Sequence, residues 1–140
     1  RENEHLVELD IYIDDEYFVR MRGDGLIVST PTGSTAYSCS AGGPIVHPSC
    51  DTILLTPICS FALAMRPFVV PASASVRIEV RSPMPSGDLR ADGQEQYKLA
   101  QGCHITATRA DKTITLVRSF ERDFYGVLRT KLHLGNLPGR

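Results

Sequence analysis

Hydrophobic and polar positions alternate over several short stretches of this 140-residue chain. The first stretch, Leu6–Ile13, alternates imperfectly, which is typical of a half-buried strand. The acidic residues 14–16 predict a turn, and Tyr17–Met21 predicts the returning strand of a hairpin. In the most regular stretch, Val76–Val80, three apolar side chains are predicted to point inward and two charged ones outward.

Further segments rich in apolar or β-branched residues predict more strands and two short helices. The predicted strands and strand-turn units are Leu26–Ser29, Thr52–Leu55, Phe68–Val70, Leu89–Asp92 before the turn Gly93-Gln94, and a hairpin of Ile105–Thr108 with Thr113–Val117. The run Ile58–Met65 predicts a turn of helix, and an apolar stripe after the cap Asp123 predicts a C-terminal helix that ends by Gly135 and Pro138. The pattern favours a mainly-β (α+β) fold of two packed β-sheets with a few short helices, and a single domain over residues 1–140.

The segment Arg22–Pro48 departs from this pattern. It opens with a Gly-Asp-Gly turn, continues as the predicted strand Leu26–Ser29, and then has hydroxyls and glycines in place of hydrophobic side chains. Six hydroxyl residues fall within eleven positions, namely Thr30, Thr32, Ser34, Thr35, Ser38 and Ser40. Because such a segment buries little apolar surface, we interpret it as a binding site for a polar small molecule.

Local chemistry predicts a strand, a tight loop and a short helix that begins near Ser34 or Thr35, with Thr32 or Ser34 as its cap. Free amides beside short hydroxyl side chains can hold a phosphate, a ribose or the edge of a base. The alternative is a capped loop that only turns the chain. No P-loop, dinucleotide fingerprint or nucleophile elbow is present, so the residues alone specify no reaction.

Composition narrows the class of partner. The chain has 15 Lys plus Arg against 16 Asp plus Glu, scattered along its length, which does not favour nucleic acid. It has no apolar run of membrane-spanning length and no signal peptide, which predicts a cytoplasmic protein without a membrane partner. Because it begins with charged residues and without Met, we expect a piece of a longer protein.

The four cysteines have no C-x-x-C spacing and are predicted to be reduced thiols that behave as small hydrophobes. His47 and Cys50 have the spacing of half a zinc site, but no second pair completes it. No metal ligands are therefore predicted in this chain.

The run Gly23–Pro48, G-D-G-L-I-V-S-T-P-T-G-S-T-A-Y-S-C-S-A-G-G-P-I-V-H-P, resembles the signature of the NAD kinase family. Similarity extends over nearly the whole chain, through Glu4–Asp14, Leu54–Pro71, Asp92-Gly93-Gln94 and Val127–Gly135. This family transfers a phosphoryl group from ATP or polyphosphate to the adenosine-ribose 2′-hydroxyl of NAD. The resemblance implies the fold of the family's C-terminal NAD-binding domain, NAD and ATP or polyphosphate as ligands, and Mg²⁺ or another divalent cation with ATP.

The resemblance also implies ligand contacts, residue by residue. Thr35, Ala36 and Ser40 match positions around the adenosine half, and Asp24, preceded by Arg22, matches positions that approach the nicotinamide half. The remaining implied contacts lie on the same turn, on strands or on the pocket wall, and are Tyr37, Ser38, Cys39, His5, Gln94, Cys59 and Phe61. The alternatives are structural: Arg22 and His5 as exposed strand residues, Gln94 as a turn residue, and Asp24 as the anchor of its own turn.

No catalytic residue is predicted. In the family the general base is an Asp within G-G-D-G-T on an N-terminal α/β domain, and this chain lacks that motif. Asp24 is not that base, because Gly25 is followed by Leu26 rather than Thr. Asn3-Glu4 imitates the family's Asn-Glu pair but lies too close to Asp24 to be it. We therefore expect the isolated chain to bind substrate and to be inactive alone.

Members of the family that this chain resembles form each ligand pocket from two subunits. The resemblance therefore implies a homo-oligomer, a dimer or tetramer. Exposed Phe61 and Phe68 would fit such an interface, although a packed core would account for them equally well. Two other classes stay open: the β domain of a lipid or diacylglycerol kinase, and a non-catalytic nucleotide-binding module.

Overall fold

The structure is a computed structural model that describes residues 6–60, 65–82, 87–117 and 123–135. His5 and Phe61, two of the predicted ligand contacts, lie outside the described residues. The chain divides into two compact units, Arg1–Arg109 and Ala110–Arg140. The single domain over residues 1–140 stays a prediction. Within the described residues no helix has the length and apolarity needed to cross a bilayer.

Most regular elements of the first unit are antiparallel strands, so the prediction of a mainly-β fold with few short helices is confirmed. A four-stranded sheet has the order β2-β1-β6-β9, a three-stranded sheet β3-β4-β5, and a separate ribbon β7-β8. The strands are β1 Val7–Ile13, β2 Glu16–Gly23, β3 Gly25–Ser29, β4 Thr52–Ile58, β5 Phe68–Pro71, β6 Val76–Val80, β7 Asp88–Ala91, β8 Glu95–Lys98 and β9 His104–Ala107.

Two short helical segments lie between β3 and β4. A 3₁₀ helix covers Thr32–Thr35 and is followed by one α-helical turn, α1, over Tyr37–Ser40. The helical turn predicted over Ile58–Met65 is wrong at its start, because Ile58 is the last residue of β4. Residues 61–64 lie outside the described part of the chain.

The core lies between the four-stranded and three-stranded sheets, whose inward side chains form one cluster. The predicted inward positions of β6 are confirmed, since Val76, Ile78 and Val80 are buried while Arg77 and Glu79 are not. The buried members of the cluster are Leu9, Ile11, Met21, Ile53, Leu55, Met65, Val70, Ala74, Val76, Ile78 and Val80. Two sheets thus bury one shared apolar face, the usual solution for half-apolar strands.

Strand β4 is buried on both of its faces. Ile53 and Leu55 join the core cluster, and because side chains alternate along a strand, Leu54 and Thr56 point to the opposite face. Leu54 and Thr56 are nevertheless fully buried. A second layer of chain must therefore cover that face of the three-stranded sheet.

The outward face of the four-stranded sheet carries a charged cluster centred on Asp10. Its carboxylate is almost completely buried and accepts hydrogen bonds from Arg20 on β2, at 2.7 and 2.9 Å, and from Arg81 after β6, at 2.5 Å. The Arg20 hydrogen bond, opposed by burial and reinforced by Arg81, lowers the pKa of Asp10 from 3.8 to about 2. This carboxylate therefore joins three strands of the sheet and stays ionised when the protein folds.

Among the residues of the second unit that the structure describes, 110–117 and 123–135, the one regular element is the helix α2 over Phe124–Leu132. The predicted cap is confirmed, because the Asp123 carboxylate accepts from the backbone N–H of Gly126 at 2.6 Å. The helix ends at His133, which adopts the left-handed conformation, two residues before Gly135. The prediction of a strand over Thr113–Val117 is wrong: the segment is irregular and Ile114 and Val117 are exposed. Favourable strand propensity does not form a strand without a partner strand to share its hydrogen bonds.

Candidate functional site

The hydroxyl-rich segment folds as a compact turn that leaves β3 and returns over its own sheet. After Ser29 the chain enters the 3₁₀ helix, and the amide of Ala36 donates to the Gly33 carbonyl at 3.0 Å before α1 begins. The predicted strand, loop and short helix are confirmed in this order. The helix begins slightly later than predicted, at Tyr37, because the preceding residues take up the tighter 3₁₀ form.

The predicted cap is wrong. Pro31 occupies the N-cap position of the 3₁₀ helix and Ala36 that of α1, and neither has a side-chain cap bond. Thr32 lies inside the 3₁₀ helix, and the Ser34 hydroxyl is turned toward the interior. The hydroxyl that serves the amides of this turn belongs to Thr30, whose Oγ1 accepts from the Gly33 N–H at 3.1 Å.

The hydroxyls of the segment divide into an inward and an outward set. Ser34 and Ser38 are fully buried, whereas Thr32 and Ser40 are exposed and Thr35 is half-buried. The outward surface is completed by two further side chains of the same turn, the exposed Ala36 and Tyr37. Three predicted adenosine contacts, Thr35, Ala36 and Ser40, therefore lie on the solvent side of the turn, where a ligand can reach them.

The inward hydroxyls hold the turn in place. Ser34 Oγ donates to the Pro31 carbonyl at 2.6 Å and accepts from the backbone N–H of Val46 at 3.0 Å, which ties the start of the turn to the irregular segment that follows it. Ser38 Oγ lies 2.8 Å from Oγ1 of Thr56 on β4. The turn is thus the layer that covers the second face of the three-stranded sheet.

Gly43 lets the chain pass close above this second bond. Its amide donates to the Ser38 carbonyl at 2.8 Å, and a Cβ at this position would lie 2.4 Å from Ser38 Oγ and 2.7 Å from Thr56 Oγ1. Real side chains do not approach this closely. Glycine is therefore required here by contact distance.

A second group of predicted contacts lies where β2 passes into β3. Gly23 packs directly on the chain after β4, with a hypothetical Cβ only 2.8 Å from the Ile58 carbonyl oxygen, and the Asp24 amide donates to that same oxygen at 2.9 Å. These contacts place Asp24 beside Cys59, an exposed residue with a positive φ of 44°. Arg22 is half-exposed and lies 3.8 Å from the Glu8 carboxylate.

The two groups approach each other across β4. Thr56, which anchors α1, is two residues from Ile58, which anchors Asp24, a separation of roughly 7 Å along a strand. Asp24 and Cys59 therefore lie at the Ile58 end of β4, and the anchor of α1 lies two residues further along the same strand. Cys39 is half-buried on that turn.

Gln94 is exposed at the tip of the ribbon β7-β8, where its backbone N–H donates to the Ala91 carbonyl at 3.1 Å. The predicted turn is confirmed, and among the described strands the ribbon forms a two-stranded sheet of its own. The dinucleotide contact at Gln94 stays a prediction, as do those of the remaining residues of the set.

Titratable groups add little to this site. The four cysteines are free thiols, and the described residues contain no group of three or more His, Cys, Asp or Glu that could hold a metal ion. The site is accordingly one of hydroxyls, backbone groups and one carboxylate, Asp24, suited to hold a polar ligand.

The sequence-based reasoning missed Thr56. Its signal was a single polar residue inside the apolar run I-L-L-T-P-I, and a buried hydroxyl in such a run requires a hydrogen-bond partner. The periodicity indicated a buried strand but could not indicate that the partner would come from Ser38, 18 residues earlier.

Comparison with known proteins identifies the family. The family described as ATP-NAD kinase C-terminal domain matches residues 1–119. An NAD kinase of Thiobacillus denitrificans is 46% identical over 132 residues, which are 93% of this chain and 44% of the relative. That of Moorella thermoacetica is 45% identical over 130 residues, 93% of this chain and 42% of the relative.

Solved structures agree. A yeast NADH kinase complexed with NADH superimposes with a TM-score of 0.85 at 36% identity, covering 97% of this chain and 42% of that one. An NAD kinase from Archaeoglobus fulgidus in complex with ATP superimposes with a TM-score of 0.69 at 31% identity. The match covers 79% of this chain and 42% of that one. The chain spans less than half the length of these relatives. By its sequence, its fold and the hydroxyl-lined turn on its three-stranded sheet, this chain belongs to the NAD kinase family, as a C-terminal domain of that family.

Proposed function

We propose that this chain is the dinucleotide-binding part of an NAD kinase, which transfers a phosphoryl group from ATP or polyphosphate to the adenosine-ribose 2′-hydroxyl of NAD. The observation that carries the proposal is the exposed side of the turn Thr35–Ser40, held on the sheet by buried hydroxyls, in a chain of this family. The solved relatives whose ligands are NADH and ATP support the same ligand classes.

In this proposal the exposed turn holds the adenosine half, with Thr35 and Ser40 supplying hydroxyls and Ala36 and Tyr37 supplying backbone and ring surface. Asp24, with Arg22 beside it, faces the nicotinamide half. Good orientation of this kind can supply about 7–11 kcal/mol of a barrier. The general base lies outside this chain, since no G-G-D-G-T sequence occurs in it.

Mg²⁺ accompanies ATP in this chemistry, where it neutralises charge on the transferred group. The described residues do not fit a resident site for that ion, because they contain no cluster of acidic or other metal-binding side chains. In this proposal the described residues bind and orient the acceptor dinucleotide.

We further propose a cytoplasmic homo-oligomer, a dimer or tetramer, with no nucleic-acid or membrane partner. Partly exposed Phe68, stacked on Phe18 at 4.6 Å, offers apolar surface suited to a second copy. Acidic and basic residues nearly balance, which gives no attraction to nucleic acid.

The direct test measures NADP formation from NAD, Mg²⁺ and either ATP or polyphosphate. We expect the full-length protein to form NADP and the 140-residue chain alone to form none. Turnover by the chain alone at the rate of the full-length protein would contradict the missing base. Binding of NAD without turnover by the full-length protein would instead indicate a nucleotide sensor, and a lipid kinase would ignore the dinucleotide.

Replacing Asp24 with Asn should weaken dinucleotide binding and leave the fold intact. The side chain is exposed, and within the described residues its carboxylate makes no hydrogen bond or ion pair with another side chain, so folding does not depend on its charge. We expect about a tenfold loss of NAD affinity by calorimetry on the full-length protein, as is usual for one charged hydrogen bond. Asp111→Asn, which removes one exposed charge far along the chain, is the matched control. Equal affinities for the two variants would make Asp24 a turn residue.

A further inference from the structure

We infer that Thr56 is a positioning residue for dinucleotide binding, and that Ser38 acts through it rather than on the ligand. The inference rests on the proposed function for the identity of the ligand. Thr56 lies in the middle of β4 and is fully buried, so it cannot touch a bound molecule. Its hydroxyl instead forms a bond of 2.8 Å with Ser38 on α1.

This bond ties α1 directly to the central strand of the three-stranded sheet. Strand β4 is the middle strand of its sheet, paired with β3 on one side and β5 on the other. Helix α1 is a single turn of four residues, too short to be stable by its own hydrogen bonds. Its position therefore depends on what holds its inward side, which is Ser38.

The inward and outward sides of α1 have separate roles. Ser38 is turned to the sheet, while its neighbours Tyr37 and Ser40 are turned to solvent. Moving Ser38 moves those neighbours with it. If the turn samples other positions, only a fraction of the molecules has the binding geometry, and the apparent Kd rises by the inverse of that fraction.

A bound ligand cannot replace either hydroxyl of the pair Ser38–Thr56. Gly43 passes directly over the two hydroxyls and donates its amide to the Ser38 carbonyl at 2.8 Å. The hydroxyl pair is sealed from both sides, so a ligand cannot provide the missing hydrogen bond when one hydroxyl is removed. Loss of either hydroxyl leaves the other buried without a partner.

The test uses four variants of the full-length protein: Thr56→Val, Ser38→Ala, the double variant, and Thr56→Ser as the conservative replacement. Calorimetry with NAD and thermal unfolding are measured for each. Each single variant should lose stability and bind NAD about tenfold more weakly. Thr56→Ser keeps the hydroxyl and should recover most of both losses.

The double variant separates positioning from stability. With both hydroxyls gone neither member of the pair is left buried without its partner, so the unfolding temperature should return toward that of the unsubstituted protein. The anchor remains absent, so NAD binding should stay about as weak as in the single variants. Recovery of affinity together with stability would overturn the inference. Ile78→Val, in the core of the other sheet, is the control for stability loss alone and should leave NAD affinity unchanged.

A second readout does not involve the dinucleotide. Hydrogen exchange in the ligand-free protein should accelerate at Ala41, Gly42 and Gly43, whose amides donate to carbonyls of α1, in Thr56→Val but not in Thr56→Ser or Ile78→Val. Unchanged exchange would overturn the anchoring role even if NAD binds. Failure of the unsubstituted protein to bind NAD would overturn the proposed function, while the exchange pattern would still decide whether Thr56 anchors the turn.

Discussion

Replacing Gly43 with Ala should lower the free energy of unfolding by about 2–3 kcal/mol and disorder the turn Thr35–Ser40. The added Cβ would meet Ser38 Oγ at 2.4 Å, Thr56 Oγ1 at 2.7 Å and the Ser38 carbonyl oxygen at 2.8 Å. Two of these atoms form the hydroxyl pair and the third is backbone, so none can rotate away without breaking a hydrogen bond. Urea unfolding of the full-length protein measures the loss.

Gly33→Ala is the matched control, because it lies in the same turn but meets its nearest atoms only at 3.5 Å. Alanine favours helical backbone over glycine, so we expect this variant to unfold within about 0.5 kcal/mol of the unsubstituted protein or to be slightly more stable. If both alanine variants unfolded at the same urea concentration, the close approach at Gly43 would not be a constraint on the fold.

Asp10→Asn should lower the free energy of unfolding by about 2–3 kcal/mol at neutral pH. The amide cannot accept charged hydrogen bonds from both Arg20 and Arg81 as the buried carboxylate does. The Arg residues keep half of their surface in water, which limits the loss to less than that of a fully buried pair. Chemical unfolding at pH 7 measures it, with Asp51→Asn, from the exposed pair with Arg109, as the control.

The Asp10→Asn substitution should also change how the stability of the protein depends on pH. The pKa of Asp10 is lowered from 3.8 to about 2 on folding, chiefly by the Arg20 hydrogen bond, so the folded state binds this proton less readily than the unfolded state. The associated stability, about 2 kcal/mol, is complete above the unfolded pKa and is lost as the pH falls from about 5 toward 2. The difference between the unsubstituted protein and Asp10→Asn should therefore shrink over that range. A difference independent of pH would show that the carboxylate's charge is not what stabilises the sheet.

The pattern of hydrophobic and polar residues predicted strands and helices correctly where segments that are close in sequence also contact each other in the fold. The hairpin of β1 and β2 follows from its alternation and its acidic turn, and the helix α2 follows from its apolar spacing and the cap Asp123. Thr113–Val117 has the same alternation but forms no strand. A strand needs a partner, and nothing in a five-residue pattern states whether one is available.

The charged cluster around Asp10, on the four-stranded sheet, also depends on a partner that the local sequence does not show. Arg81 is 71 residues from Asp10 and joins it only because β6 pairs with β1. From sequence, Asp10 is an ordinary polar residue on the solvent side of a half-buried strand. Its low pKa is caused by Arg20 and Arg81, which lie beside it because β2 and β6 pair with β1.

Sequence by itself determined that this chain is mainly β and to which family it belongs, and it singled out Arg22–Pro48 as the proposed binding segment, because alternation, glycine turns and a long specific motif are all local properties of the chain. Tertiary structure alone decided which hydroxyls of that segment are available to a ligand. Thr35 and Ser40 point outward, while Ser34 and Ser38 are buried against Val46 and Thr56. The physical reason is that a hydroxyl has the same chemistry on either side of a turn, and only the packing of a distant strand fixes which side faces water.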